Sequence, residues 1–513
     1  MSGTQQDAQQ AVRYGNWSSD RQGWLFGLSG GALVTVVIGG LPMLLALGVH
    51  AWVFALLWAG VWGVLTVGVC VPIAGRPAAR WAADAVLHTV GAGAGWSSWQ
   101  SRAAAGQADD LAEADLPGVL AGITAHDGPP FGVLLARPAI VQDSSAQSWA
   151  AVARISHPGI GLAEAGTRNR MAAGLSELLE GAASAELISV LAVQIRTVPD
   201  DGAERAAWQA RHVRPDAPAL ARQVNAELSA AMVQAGLRHE TFVTVVVPES
   251  RIARQAKQAG GGVDGRARVL YQVMGEVEAR LAGGMGCSSV QWLGTAELAA
   301  AIRTGFAPGE RAGLIEAQLA AQADPSIAGR LPVAAAGPSC APSPERRHYT
   351  HDAWSTATCT LLLPEQGALM GALAPVFTPS VAGERRSVTV FFEPVSRDKA
   401  DRMVGRDSMS AGTAAEMRNR LGFQTRAAHR RDAARVQDAD VRLASGRSLV
   451  RAAVAAAVTV PSTWSISDHA SRLESSVRGA GFVPLRLDLA QDSGFAAACV
   501  PLGIGLPRRR ATR

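Results

Sequence analysis

Lysine is almost missing from this chain of 513 residues, because only Lys257 and Lys399 occur among its 48 basic residues. A bias of this kind toward Arg, Ala and Gly is typical of a GC-rich coding sequence and carries no functional meaning. The formal net charge is +5. This balance suits the anionic inner face of a membrane, but it is too small to indicate nucleic-acid binding.

Cysteines are few, and their spacing excludes two common kinds of site. The five cysteines show no Cys-x-x-Cys pair and have no histidine beside them: Cys70, Cys287, Cys340, Cys359 and Cys499. A zinc site would need such spacing, and a few scattered cysteines in a long chain do not indicate the disulfide framework of a small secreted domain. We therefore expect the five cysteines to be free and buried, as small hydrophobic residues of a protein in a reducing compartment.

Charged residues are absent from Gln22 to Gly75. The hydrocarbon core of a bilayer is roughly 30 Å thick and takes about 20 helical residues to cross. The stretch therefore predicts a transmembrane helical hairpin over residues 23–75, with spans at about 25–47 and 51–71 and a turn at Gly48-Val49-His50. A signal peptide has an apolar region of only about 7–15 residues, and core helices rarely avoid charge for so long.

Arginines give the predicted hairpin an orientation. They flank the two spans and are missing from the turn: Arg13, Arg21, Arg76, Arg80 and Arg102. Because positive residues stay on the inner side, we expect a multi-pass protein of the plasma membrane whose N- and C-termini are both cytoplasmic. Trp24 and Trp81 would lie near the inner boundary and Trp52 near the outer one.

The rest of the chain divides by composition into soluble segments. Prolines among Ala, Gly and Ser mark a linker after the first folded module. The predicted segments are an N-terminal segment (1–22), the hairpin (23–75), a juxtamembrane segment along the membrane interface (76–114), a first α/β module (115–323), a Pro/Ala-rich linker (324–348), a second α/β module (349–507) and a basic tail (508–513).

The two modules have similar patterns. Apolar strand-like runs occur at 149–155, 187–195, 241–247 and 288–293, and again at 355–363, 387–392, 450–460 and 483–487. Helical stretches separate them at 163–179, 201–235 and 263–281, and at 366–373, 398–444 and 466–479. Strands that a helix connects run parallel. The order predicts a membrane-anchored α/β protein with two ferredoxin-like, or split βαβ, modules whose central hairpins are replaced by long helical insertions.

Two glycine-rich segments resemble nucleotide-binding motifs but depart from them. Gly260–Ala267 has the spacing of a P-loop, yet Arg266 and Ala267 stand where the phosphate-binding Lys and the Mg²⁺-binding hydroxyl belong. In Gly159–Gly166 the third glycine comes too late for a dinucleotide fingerprint. A flexible turn and an ordinary strand-to-helix turn are the favoured interpretations.

Asp438-Ala439-Asp440 could serve a metal-dependent transferase, but its surroundings favour a solvated helix face. Seven arginines share this stretch: Arg418, Arg420, Arg426, Arg430, Arg431, Arg435 and Arg442. They could alternatively contact DNA phosphates. His348 and His351 are neighbours, but only Asp352 follows them. The sequence predicts no catalytic, cofactor-binding or metal-ligating residue, and hence no enzyme.

Both ends of the chain resemble components of type IV secretion. Arg13–Trp17 and Trp24–Leu28, followed by two spans, resemble PrgI-like, VirB-type inner-membrane hairpin proteins. Asp492–Gly503 resembles the close of the non-motor N-terminal region of the conjugation-channel ATPases. The plan is similar to an actinobacterial family that works beside a separate motor ATPase, and the motor domain is expected to be absent here.

This resemblance implies an inner-membrane scaffold of a conjugative DNA-transfer apparatus. Its implied partners are a separate transport ATPase, other inner-membrane channel subunits and the lipid bilayer, within an oligomeric complex. EccE, a membrane component of type VII secretion, also has an N-terminal hairpin and a cytoplasmic α/β body. The segment Phe495–Gly503 favours type IV secretion, and type VII secretion stays as the alternative.

Overall fold

The computed structural model describes residues 13–14, 30–73, 76–132, 136–161, 163–214, 216–324, 326–364, 367–420 and 427–505. The basic tail (508–513) and the motif residues Trp24–Leu28 lie outside this part of the chain. Of the motif Arg13–Trp17, only Arg13 and Tyr14 lie within it.

Two apolar helices and a third helix form the N-terminal part, with short strands around them. In order, the elements are β1 (Arg13–Tyr14), α1 (Gly30–Gly48), α2 (Trp52–Cys70), β2 (Pro72–Ile73), β3 (Arg76–Pro77), α3 (Ala78–Ala94) and β4 (Trp99–Gln100). His50 lies between α1 and α2 with a φ of 56°. The chain therefore turns at Val49 and His50, within the predicted turn, while Gly48 still belongs to α1.

Helices α1 and α2 pack against each other through tryptophans. The indole nitrogen Nε1 of Trp58 donates a hydrogen bond to Gly39 O at 2.8 Å, and Trp62 Nε1 donates to Val36 O at 2.8 Å. Small residues such as Gly39 let helix backbones approach closely. Helix α2 is long and apolar enough to cross a membrane, whereas the apolar stretch described within α1, Val34–Gly48, is shorter.

The first half of the body alternates strands with helices. Its elements are β5 (Ile123–Asp127), β6 (Ala139–Asp143), β7 (Ser148–Ser156), α4 (Ala165–Ala185), β8 (Val190–Pro199), α5 (Ala203–His212), α6 (Ala219–Ala235), β9 (Leu237–Pro248), α7 (Glu249–Gln258), α8 (Gly262–Gly283), β10 (Ser289–Trp292), α9 (Thr295–Phe306) and α10 (Arg311–Ala323).

The second half repeats most of this order. It contains β11 (Cys340–Ala341), β12 (Tyr349–His351), β13 (Trp354–Leu362), β14 (Ala368–Leu369), α11 (Ala374–Phe377), β15 (Arg385–Pro394), α12 (Arg397–Arg420), α13 (Ala427–Ala444), β16 (Val450–Pro461), α14 (Ile466–Gly479), β17 (Val483–Arg486) and α15 (Gln491–Cys499).

Both halves share one sheet of 11 strands, in the order β12-β13-β16-β15-β8-β9-β7-β6-β5. Strand β10 also pairs with β7, beside β6, and β17 also pairs with β13, beside β12. Every described strand pair is antiparallel. Strands β7 and β8 run parallel, as the sequence predicts, but β9 lies between them and pairs with both.

The halves join edge to edge where β8 pairs with β15. Val388 lies opposite Ile195, and Phe392 lies opposite Leu191. Because β8 and β15 run in opposite directions, the helical hairpin α5–α6, after β8, and the hairpin α12–α13, after β15, project from opposite ends of the sheet.

Helices cover both faces of the sheet and make three layers. Alternate residues of a strand point to opposite faces. Val243 and Val245 share a buried cluster with α4 and α8, and Val458 shares one with α14. The other face packs against α9 and α15.

Two segments differ from their predicted form. The helix predicted over 366–373 is wrong in its described part, because Ala368–Leu369 forms β14 and pairs with β1. Segment 324–348, expected to be a linker, packs closely in part: Val333, Ala334 and Ala336 are buried, and Ala334 N donates to Leu111 O at 3.1 Å.

Candidate functional site

The P-loop-like segment is a turn between helices α7 and α8. Gly260 has a φ of 113° and Gly261 a φ of 71°, so the turn needs residues without a Cβ. The side chain of Arg266, which stands in the lysine position, is already occupied: its Nε donates to Glu249 Oε2 at 2.8 Å. This bond lowers the pKa of the Glu249 carboxyl. Helix α7, not a strand, precedes the turn, so its context is not that of a P-loop.

The second glycine-rich segment connects β7 to α4. Gly159 has a φ of 83°, and Leu162 lies outside the described residues. Ile160 packs 3.2 Å from the place where a Cβ on Gly371 would lie. The turn therefore makes a packing contact between the first half and the second half.

The acidic pair lies on α13, where Asp438 and Asp440 are both exposed. Among the described residues, no three His, Cys, Asp or Glu side chains come together in a group that could hold a metal ion. Of the seven arginines, only Arg435 and Arg442 have described side chains. The geometry gives the pair no partner for metal chemistry within the described part.

His348 and His351 have different environments. His348 Nε2 lies 3.4 Å from Glu345 Oε1 near the surface. His351 is fully buried and forms a 2.9 Å hydrogen bond with Thr356 Oγ1. Burial lowers the pKa of His351 to about 3, so its imidazole is neutral at physiological pH.

His351 belongs to an aromatic cluster at the seam between the halves. The ring of Phe495 lies 4.4 Å from His351 and 4.7 Å from Phe306, measured between centroids. Phe306 ends α9 of the first half, and Phe495 lies in α15 of the second. Nearby, Arg303 Nη1 lies 3.1 Å from Asp352 Oδ2. The packing of one half therefore depends on the other.

A joint attaches the N-terminal helices to the body. We define it as β4, β11 and four side chains: Trp81, Ser97, Ser343 and Arg346. β4 pairs with β11, and the hydroxyls of Ser97 and Ser343 lie 2.9 Å apart. The guanidinium of Arg346 lies 5.3 Å from the ring centroid of Trp81. Three independent contacts therefore fix α3 and the segment directly after it to the body.

A second attachment precedes the apolar helices. β1 pairs with β14, so Arg13 lies opposite Leu369 and Tyr14 opposite Ala368. Ala368 packs against the buried cluster of the second half. The chain is thus tied to the same body before α1 and after α3.

Helix α6 carries an apolar stripe. We use this name for Leu220, Val224, Leu228 and Met232, which occur at every fourth residue and are each 48% to 71% exposed. Residues four apart lie on one side of a helix. This helix contacts α5 at two points: Gln209 Nε2 on α5 donates to Ser229 Oγ at 3.2 Å, and Arg205 Nη1 donates to Met232 Sδ at one end of the stripe. The stripe is therefore a regular and largely exposed apolar surface of the described body.

The first half contains a small cavity. A cavity of about 10 Å³ lies between α4 and α8, lined by Leu178, Ala182 and Val277 among others. That volume has room for about one water molecule, so it cannot hold an organic substrate.

Sequence reasoning missed the joint, the β1–β14 pairing and the apolar stripe. Only the stripe had a local signal, in its spacing of four residues. All five cysteines are free; Cys287, Cys359 and Cys499 are buried as expected, but Cys340 is exposed.

No protein-family model matches the chain, and no curated protein sequence matches it.

Proposed function

We propose that this protein is a non-catalytic inner-membrane scaffold of a type IV secretion or conjugative DNA-transfer apparatus, and that it docks a separate transport ATPase. The proposal rests on the resemblance of Arg13–Trp17 and Asp492–Gly503 and on one structural observation. That observation is the attachment of the body on both sides of the apolar helices.

The double attachment bears on membrane topology. β1 precedes α1 and pairs with the body through β14, and β4 follows α3 and pairs with the body through β11. A chain that leaves a body and returns to it on the same side crosses a membrane an even number of times. If α2 spans the bilayer, α1 therefore spans it as well. The flanking arginines then favour a cytoplasmic body with both termini inside.

We further propose that the body consists of two split βαβ units. In each half the strands are ordered second-third-first-fourth, as β8-β9-β7-β10 and as β15-β16-β13-β17. This is the strand order of a ferredoxin-like unit, with α5–α6 and α12–α13 in place of the central hairpins.

The apolar stripe on α6 is the surface we assign to the ATPase. It projects from one end of the sheet, and covering it would remove four large apolar side chains from water. Each buried CH₂ contributes about 0.8 kcal/mol. Other channel subunits and further copies of this chain would occupy other surfaces, and the Arg-rich hairpin α12–α13 is the region for any contact with DNA.

Two other functions are less well supported than the type IV scaffold. An EccE-like role in type VII secretion would use the same hairpin and body, so the identity of the partner distinguishes the two. A membrane-anchored metal-dependent transferase would need Asp438 and Asp440. Nothing in the described geometry favours it.

Co-purification from mildly solubilised membranes tests the proposal. The tagged full-length protein should bring down a transport ATPase of a conjugation system, and Leu228→Asp should reduce its recovery at least about tenfold, equivalent to about 1.4 kcal/mol. Ala230→Asp places the same charge on the opposite side of α6, at another exposed position, and should have little effect. Recovery of type VII components would select the alternative, and recovery of no secretion component would refute the scaffold.

A further inference from the structure

Helix α3 has an apolar side that faces away from the protein. Val86, Leu87 and Val90 point outward and are 61%, 62% and 49% exposed. Trp81 and Gly91, on the opposite side of the helix, are half-buried and buried. A helix on the surface of a soluble body normally has the opposite arrangement.

The outward side contains no described charged side chain. Its remaining residues include Ala82, Ala83 and Thr89. The Thr89 hydroxyl donates within the helix, since its Oγ1 lies 2.9 Å from Ala85 O. Burial of this side in an apolar medium would therefore leave no side-chain donor without a partner.

The inward side is held in place by the protein. Trp81 packs beneath Arg346, and Trp96 packs so closely on Gly91 that a Cβ there would overlap the indole. Ala79 lies 3.3 Å from the Cβ position of Gly68 near the end of α2. Helix α3 is consequently coupled both to the body and to the apolar helix before it.

We propose that the outward side of α3 lies in the boundary between headgroups and acyl chains of the leaflet in which α2 ends. The reason for choosing a lipid surface is continuity: only the short β2–β3 turn separates α3 from α2. Interfacial helices bury their apolar side about 5–10 Å into this boundary.

This arrangement would fix the orientation of the body. Because the joint fixes α3 to β11 and Arg346, the sheet cannot swing freely beneath the membrane if α3 lies in the interface. The inference rests on the proposed membrane anchoring. It sharpens the prediction of an interfacial segment over 76–114 by naming the side of α3 that enters the membrane and the contacts that hold the other side.

Spin labels on the full-length protein in lipid nanodiscs provide the test. Labels are placed singly at Leu87→Cys on α3, Leu57→Cys on the exposed side of α2 and Ser475→Cys on the exposed side of α14, in a Cys70→Ala, Cys340→Ser background. Oxygen concentrates in lipid, whereas a nickel chelate stays in water. The oxygen-to-nickel accessibility ratio at position 87 should exceed that at 475 by at least about threefold and lie below that at 57.

Each other outcome has one meaning. A water-like ratio at 87 with a lipid-like ratio at 57 overturns the inference and leaves the anchoring intact. Shielding of position 87 from both reagents overturns it in favour of a protein contact, such as a second copy of the chain. A water-like ratio at 57 refutes the membrane anchoring and the inference together.

Discussion

The two halves of the body have the same strand order but differ in the element that comes after the first strand. In the first half, β7 leads into α4, a helix of 21 residues. In the second half, β13 leads into β14 and α11, a helix of only 4 residues, and β14 pairs with the N-terminal strand β1. The second half therefore pairs with the N-terminal strand β1 in the region where the first half has a long helix.

The second half carries a buried polar cluster beside α11, since Arg386 Nη1 donates to Val376 O at 3.3 Å. We define this cluster as Glu384, Arg386 and His469, of which Glu384 and Arg386 are 0% and 1% exposed. Arg386 Nε donates to Glu384 Oε1 at 2.5 Å, and His469 Nδ1 lies 2.8 Å from Glu384 Oε2. The comparison teaches that the same strand order accommodates either a long helix after its first strand or a short helix beside a satisfied ionic cluster.

The largest expected effects on stability come from helices α9 and α15, each of which follows the fourth strand of its half. Phe306→Ala and Phe495→Ala should each lower the free energy of unfolding by about 3–5 kcal/mol, because both rings are fully buried and truncation leaves a cavity. The double variant should deviate from additivity by about 0.5–3 kcal/mol, since the rings touch. Urea unfolding of the full chain in detergent measures all three. Additive effects would show that the two halves unfold independently.

The buried polar cluster should contribute more to the free energy of unfolding than an exposed ion pair does. Glu384→Gln should destabilise the protein by about 3–5 kcal/mol, because it leaves Arg386 buried without its charged partner. The exposed pair Arg447–Glu180, with N and O 2.7 Å apart, is the matched control, and Glu180→Gln should cost about 0–1 kcal/mol. Equal costs in the same urea experiment would contradict the role assigned to the cluster.

Acid should weaken the seam through His351. Its pKa is about 3 in the folded protein, because of burial, and about 6.5 when unfolded. Between these values the unfolded state binds the proton and the folded state does not, so stability falls as pH falls, by about 1.4 kcal/mol per unit. His351→Asn should reduce that slope between pH 6.5 and 3. An unchanged slope would show that other groups control acid unfolding.

The strands were predictable because their apolar runs are long and local. Val450–Pro461 is almost uninterrupted by polar residues, as expected for a strand buried on both faces. The order of the strands in the sheet was harder to predict from the sequence, because the pairing of β8 with β15 brings together residues that are far apart in the chain. The helix predicted over 366–373 failed for the same reason: its partner β1 lies at the other end of the chain.

The candidate surfaces were predictable only in part. The spacing of the apolar stripe from Leu220 to Met232 indicates one helix face, but no sequence pattern reveals whether a face is covered. Likewise, the apolar residues of α3 were visible in the sequence, whereas the attachment of Trp81 to Arg346 depends on tertiary structure.

Sided cysteine labelling of intact cells tests the central claim, that both attachments hold the body on the inner side of a two-span anchor. His50→Cys, at the turn between α1 and α2, should react with a membrane-impermeant maleimide added outside. Cys340, which is exposed on β11 of the joint, should react only after the cells are opened. Reaction of Cys340 in intact cells, or failure of residue 50 to react there, would contradict the account.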